Sequence, residues 1–203
     1  PRQSQSSSGA ETDSREAEVM NPWRRIGDQA ALYDGNWRRV LQKTFVMPNG
    51  HTMQAEISSS HCLESVMVVA LTPEHQAIIA RQFRCGPEQI FDELPGGAVD
   101  PNEVPEEAAR RELREETGYN AGELMFLGTM YKHAWMDTKS HYFLAKNCTP
   151  SEAGQQLDDN EAVEVCTISI DQLFKNGKSG KMTDTEGLFL AYEQLKDIQR
   201  GEQ

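Results

Sequence analysis

The sequence predicts an α/β (α+β) fold, a helix–sheet–helix sandwich around a mixed sheet. Three observations carry that expectation. Two short apolar runs rich in β-branched residues, Ser65–Leu71 (SVMVVAL) and Ala77–Phe83, flank a turn at Thr72-Pro73-Glu74-His75, the pattern of a central, buried strand pair. A strongly patterned helix follows over Pro105–Thr117, and a second helical pattern closes the chain from about Asp184 to Arg200. Further strand runs lie before and after the first helix, so one sheet carries helices on both sides.

Bulk properties bound the function. At 203 residues the chain is long enough for one domain with a full core and borderline for two. Residues 1–20 are rich in Ser, Gln and charge, the composition of a disordered tail or processing remnant; 21–60 hold N-terminal strands and 61–203 the main domain. The net charge of −12 excludes a nucleic-acid surface, which needs a basic stripe. It leaves room for a small anionic nucleotide, because a bound divalent cation reverses the local sign. No apolar run is long enough to span a bilayer and no signal-peptide pattern is present, so a cytoplasmic protein without membrane contact is expected. Cys62, Cys85, Cys148 and Cys166 form no CxxC pair, and free thiols in a reducing compartment are expected rather than zinc.

In chain order, the body starts near Asn21-Pro22-Trp23. From Trp37, WRRVLQKTFVM and HTMQAEIS run on either side of Pro48-Asn49-Gly50 to Ser58, a hairpin signal. The second central run continues through Arg81-Gln82-Phe83-Arg84 until Cys85-Gly86-Pro87 breaks it. Phe91–Leu94 is a short strand ending at Pro95-Gly96-Gly97, where two glycines let backbone come close to a neighbour. In the helix after it, Pro105 fits a first helical position, Glu106 and Glu107 suit the positive end, and Gly118 fits just past the last turn. Ala108, Ala109 and Leu113 give it an apolar side, while Val104 lacks a side-chain acceptor and defines the start poorly. Gly122–Lys132, Ser140–Ala145 and Ala162–Ile170 (AVEVCTISI) read as strands, and Ile170–Phe174 opens a short helix. Leu188, Ala191, Tyr192, Leu195 and Ile198 lie at helical spacing in the final helix, and there is no internal repeat.

The chemistry concentrates on the first helix. Glu112, Glu115 and Glu116 stand at i, i+3 and i+4 and share one helix face. Clustered carboxylates raise one another's pKa unless a cation joins them. Oxygen-only ligands suit a hard ion, magnesium or manganese, and magnesium is usually held by few carboxylates plus substrate phosphates. A solvated acidic face is the other reading of the same residues.

The stretch Gly97–Tyr119 (GAVDPNEVPEEAARRELREETGY) resembles the Nudix box. The matching positions are Gly97, Glu103, Arg111, Glu112, Leu113, Glu115, Glu116 and Gly118; the final aliphatic slot holds Tyr119 instead. The resemblance implies a Nudix hydrolase domain in which the box forms a loop–helix–loop, with the Gly96 carbonyl as a metal ligand beside Glu112, Glu115 and Glu116. It extends from about Trp37 to the last helix and is similar to the nucleoside-diphosphate-sugar branch, of which ADP-ribose pyrophosphatases are the best-known members. Arg81–Arg84, Glu93–Gly97, Asp159–Val165 and Gly180–Tyr192 carry it.

That branch implies magnesium-dependent hydrolysis of the pyrophosphate of a nucleotide sugar, giving a nucleoside monophosphate and a sugar phosphate, by a homodimer with exchanged N-terminal strands. Arg84 would clamp a phosphate with its forked donors, or is a surface arginine at a strand end. Glu93 joins it on the substrate side. Trp37 would stack on the partner's nucleobase, or packs as a lone Trp. Glu103 and Arg111 suit structural roles as well as catalytic ones, Arg111 pairing with a helix-face carboxylate or with Glu93. Glu161 occupies the place of the branch's general base, with Glu152, Asp158 and Asp159 competing nearby and Glu115 as the alternative within the box. The run His133–Ser140 is short and lacks the proline usual after the strand that follows the box. It therefore leaves GDP-mannose, or another nucleotide derivative such as a dinucleoside polyphosphate, open as substrate. A nucleotide-sugar sensor without catalysis is the reading from another class, and the intact glutamate set argues against it.

Overall fold

The computed structural model describes residues 21–201, and the expectation for residues 1–20 lies outside them. Three strands come first: β1 (Arg24–Asp34), β2 (Arg39–Val46) and β3 (Thr52–Ser59) form an antiparallel sheet of their own in that order. The turn between β2 and β3 is the one the sequence signals. The Gly50 N–H donates to the Met47 carbonyl at 2.9 Å, and Gly50 closes the turn at φ 83°. β1 was not legible, because its eleven residues are exposed except for the half-buried Ile26. Its pairing with β2 is interrupted by two register shifts, and Gly27 sits at φ 66°. Trp37 falls in the tight turn before β2 rather than on a strand, where the Gly35 N–H bonds the Arg38 carbonyl at 3.0 Å.

The main sheet contains β4 (Glu64–Leu71), β5 (Gln76–Arg84), β6 (Gln89–Glu93), β8 (Glu123–Tyr131), β9 (Lys139–Lys146) and β11 (Val163–Ser169). β7 (Tyr119–Asn120) and β10 (Thr149–Pro150) form a separate short pair. The main order is β11-β5-β4-β9-β8, with β6 added to β5. The sheet is mixed because β4 and β9 run parallel while its other pairs are antiparallel.

The expected central pair, β4 and β5, is central and buried but touches at only two positions, Ala70↔Ile78 and Leu71↔Ala77. Beyond them the strands part. β5 turns to pair with β6, and the run after β6 takes its place along β4. There the Val68 N–H bonds the Pro95 carbonyl at 2.9 Å and the Val66 N–H bonds the Gly97 carbonyl at 2.8 Å. The sheet thus forks, and the glycine pair lies inside the fork.

Helix α1 (Pro105–Thr117) covers one face, packing Ala108, Ala109 and Leu113 on Val66, Val68, Ala70, Ile78 and Phe143. Helices α2 (Ile170–Lys178), α3 (Glu186–Leu190) and α4 (Tyr192–Arg200) cover the other through Leu173, Leu188, Leu195 and Ile198 against Val69, Leu71, Ile79 and Leu144. Successive β4 side chains serve opposite cores, which is why this strand is a continuous apolar run. The single helix expected over 184–200 is broken at Ala191 (φ −89°, ψ 2°), and Asp184 precedes it at φ 55°. The N-terminal sheet leans on the loop after β8. The Ser58 N–H bonds the Trp135 carbonyl at 2.9 Å, and the Lys43 ammonium pairs with Asp137 at 2.6 Å. Among the described residues no helix is long and apolar enough to cross a membrane, and the four cysteines are free thiols.

Candidate active site

Helix α1 starts on Pro105 without a side-chain cap and ends on Gly118 in the left-handed region at φ 73°. With its apolar side on the sheet, the Glu112, Glu115 and Glu116 face is turned to the fork. Contact there is close enough to require glycine. A Cβ on Gly97 would stand 2.4 Å from Glu112 Oε1, and one on Gly96 would stand 2.1 Å from the Val66 carbonyl oxygen. The Gly96 N–H donates to Glu116 Oε2 at 2.8 Å. Because the Pro95 and Gly97 carbonyls face β4, strand alternation turns the Gly96 carbonyl the other way, to the side of Glu116.

The electrostatics of this face are unusual for surface glutamates. Glu116 is only 5% exposed. Its burial, aided by the charges of Glu112 and Glu161, pushes its carboxyl up to about 8, against the opposing effects of the Gly96 N–H and Arg84. Burial also raises Glu112, again with Glu115 and Glu161 adding to the effect and Arg111 opposing it. The solvated-face reading therefore does not describe Glu112 or Glu116. Glu115 is more open.

Arg111 is the hub of the cluster. Its Nε and Nη2 donate to the two Glu103 oxygens, each at 2.9 Å, and Nη2 also reaches the Ala98 carbonyl at 2.9 Å. Nη1 donates to Glu112 at 2.8 Å and to Glu115 at 3.1 Å. Arg111 thus takes the helix-face partners and not Glu93, tying the box loop to the carboxylates. Among the described residues no three acidic, His or Cys side chains close on a single point.

Glu93 is 2% exposed and belongs to Arg84, whose Nε lies 2.9 and 3.0 Å from its two oxygens and whose Nη2 also donates to it. The Gln82 amide adds a bond to Glu93 at 3.1 Å. The fork expected to meet a phosphate is engaged with this carboxylate across the β5–β6 hairpin, close enough to Glu116 for the charges to act on each other. Gln82 was not singled out from sequence, although it shares a strand face with Arg84 two residues away.

Glu161 lies on an exposed loop before β11, beside Asp158 and Asp159. Its carboxylate accepts the Asp158 N–H at 3.1 Å, and its charge acts on both Glu112 and Glu116. Trp37, in the turn between β1 and β2, is 71% exposed, so it does not pack as a lone core Trp. The sequence reading also missed Gln155, whose side-chain amide donates to the Glu116 carbonyl at 2.7 Å; a glutamine in a polar loop carries no motif.

Residues 63–187 match the NUDIX domain family. The chain belongs to the Nudix family. The ADP-ribose pyrophosphatase of Bacillus subtilis (strain 168) is 33% identical over 168 residues, covering 82% of this chain and 90% of that protein. The methanol dehydrogenase activator of Bacillus methanolicus is 29% identical over the same shares of the two chains. A solved structure of an ADP compounds hydrolase superposes with a TM-score of 0.76 over 92% of this chain and 100% of that one, at 21% identity, and shows the same fold. The chain is thus a Nudix hydrolase, and Nudix hydrolases are in general dependent on a divalent metal. The donor set here fits such an ion. Two carboxylates, the buried Glu116 and the half-buried Glu112, face a glycine backbone, and carboxylate and carbonyl oxygens are the donors a hard dication takes.

Proposed function

We propose that this Nudix hydrolase cleaves the pyrophosphate of a nucleoside diphosphate sugar of the ADP-ribose type, releasing a nucleoside monophosphate and a sugar phosphate. The observation that carries the reading is the placement of the half-buried Glu112 and the buried Glu116 against Gly96-Gly97 on the fork. Glu112, Glu115, Glu116 and the Gly96 carbonyl would hold magnesium, or manganese in its place. When bound, such an ion neutralises the bridging phosphate oxygens and lowers the pKa of a coordinated water.

The chain's own residues divide the remaining work. Arg111 orients Glu112 and Glu115 from the side of the box loop. Glu161 takes the proton of the attacking water, and its electrostatic reach to Glu112 and Glu116 supports that role. Glu93 holds Arg84 at the edge of the cluster, where its charge favours phosphate. The exposed Trp37, in the turn that follows an almost wholly exposed first strand, supports a homodimer in which the N-terminal sheet is shared and the indole stacks on the partner's nucleobase. The free thiols agree with a reducing, cytoplasmic setting.

The name of the B. subtilis relative supports ADP-ribose as the first substrate to test. The proline-free run 133–140 favours a second reading, GDP-mannose or another nucleotide sugar, because part of that run is bound to β3 through Ser58. A panel of nucleotide sugars, dinucleoside polyphosphates and nucleoside triphosphates with magnesium, read as released monophosphate, decides between them. Turnover confined to compounds other than nucleotide sugars would overturn the reading.

A further inference from the structure

The last carbonyls of a helix have no partner within it. At the end of α1 the Gly118 N–H donates to the Arg114 carbonyl, and a distant loop takes the carbonyls of Glu115 and Glu116. The Gln156 N–H donates to the Glu115 carbonyl at 2.8 Å, and the Ser151 N–H donates to the Gly118 carbonyl at 2.7 Å. The Gln155 side-chain amide donates to the Glu116 carbonyl at 2.7 Å and to the Val163 carbonyl, at the start of β11, at 3.3 Å. Gly118 admits this loop, since a Cβ there would stand 3.0 Å from the Gln155 nitrogen. One side chain therefore joins both ends of the 157–162 segment to the helix turn that carries Glu115 and Glu116. Within the segment, the Glu161 N–H bonds the Asp158 carbonyl at 2.9 Å, and the Asp158 N–H bonds the Glu161 carboxylate at 3.1 Å.

We propose that Gln155 is a positioning residue for the hydrolytic step, setting where the 157–162 segment and its Glu161 stand relative to the carboxylate face of α1. The inference rests on the reading that Glu161 takes the water's proton. Glutamine suits the post because its amide offers two N–H donors to two carbonyl oxygens, whereas glutamate of the same length offers none when ionised. A helix cap alone would not need the second bond, which reaches across to β11.

The test uses Gln155→Met, which keeps the length without the donors, and Gln155→Glu, which sets a carboxylate against two carbonyls. With two ordinary hydrogen bonds removed, Gln155→Met is expected to lower kcat roughly tenfold with KM little changed, and Gln155→Glu to lower it further. In a Glu161→Gln background the Gln155→Met loss should largely vanish, because residues acting as one unit are not additive. Amide exchange at Asp158 and Glu161 should speed up in Gln155→Met. A variant with lower Tm but wild-type kcat and exchange would make Gln155 a cap only and overturn the proposal, as would an undiminished loss in the Glu161→Gln background. If Glu161→Gln itself keeps wild-type kcat, the base assignment falls. Gln155 is then decided by exchange alone: faster exchange across 157–162 supports the pin and unchanged exchange refutes it.

Discussion

Replacing Glu116 by glutamine should stabilise the metal-free protein at alkaline pH while removing its turnover. In the folded chain the Glu116 carboxyl is raised from 4.5 to about 8, chiefly by burial. A carboxyl with a raised folded pKa keeps its proton in the native state after the unfolded chain has released it. Stability is therefore lost as pH rises from the unfolded value to the folded one. The rise corresponds to about 5 kcal/mol at full ionisation, of which linkage places about 2 kcal/mol by pH 6 and about 4 kcal/mol by pH 8. Relaxation and water entry reduce such burial penalties. Glutamine removes the charge but keeps an acceptor for the Gly96 N–H, now bonded at 2.8 Å. A gain of about 2–4 kcal/mol at pH 8, at 2–4 °C per kcal/mol for a chain of this size, lifts Tm by roughly 5–15 °C. The assay is thermal unfolding of both proteins in chelator at pH 6, 7 and 8, with monophosphate release measured in magnesium. The gap in Tm should widen with pH. An equal or lower Tm for Glu116→Gln at pH 8, or wild-type turnover in magnesium, would refute the account of this carboxylate.

Three further outcomes are expected. Glu161→Gln should lower kcat by roughly a hundredfold to ten-thousandfold at little change in KM; retention of more than about a third of wild-type kcat, well short of a base's worth, would move the base to Glu115. Gly97→Ala sets a Cβ against the Glu112 carboxylate and should reduce activity more than stability. Gly96→Ala instead meets the Val66 carbonyl in the backbone and should unfold the protein or lower its stability by about 3 kcal/mol or more; chemical denaturation and turnover of the two variants, compared side by side, check the contrast. Deleting residues 21–60 should give insoluble or inactive protein, and soluble, active monomer by sedimentation would exclude the shared N-terminal sheet.

The parts legible in the sequence were those whose signal is local. Glu112, Glu115 and Glu116 share a face by spacing alone, and Gly118 marks the helix end by its conformational freedom. The turn at Gly50 and the buried character of β4 follow from the same kind of evidence. What escaped depends on contacts remote in sequence. β4 and β5 look like ordinary hairpin partners until the run after β6 displaces most of their pairing, and no pattern within either strand announces that. β1 has no apolar alternation because it buries almost nothing within the chain. Arg84 reads as a free phosphate donor until the β5–β6 hairpin brings Glu93 against it. The break at Ala191 interrupts a helical periodicity that runs through it unbroken in sequence.

The fork in the sheet makes this chain's tolerance of insertions uneven. The β5–β6 hairpin ends in an exposed turn over 85–88, where added residues lengthen a loop and leave every register behind it intact. A single residue added between Leu94 and Ala98 acts differently. Extended backbone alternates with a period of two, so the inserted residue would exchange the peptide edge that bonds β4 through the Pro95 and Gly97 carbonyls with the edge whose Gly96 N–H bonds Glu116. Length variation among relatives should therefore accumulate at the hairpin tip, while the ten-ångström stretch beside it, of about three residues, remains fixed in length even where its side chains change.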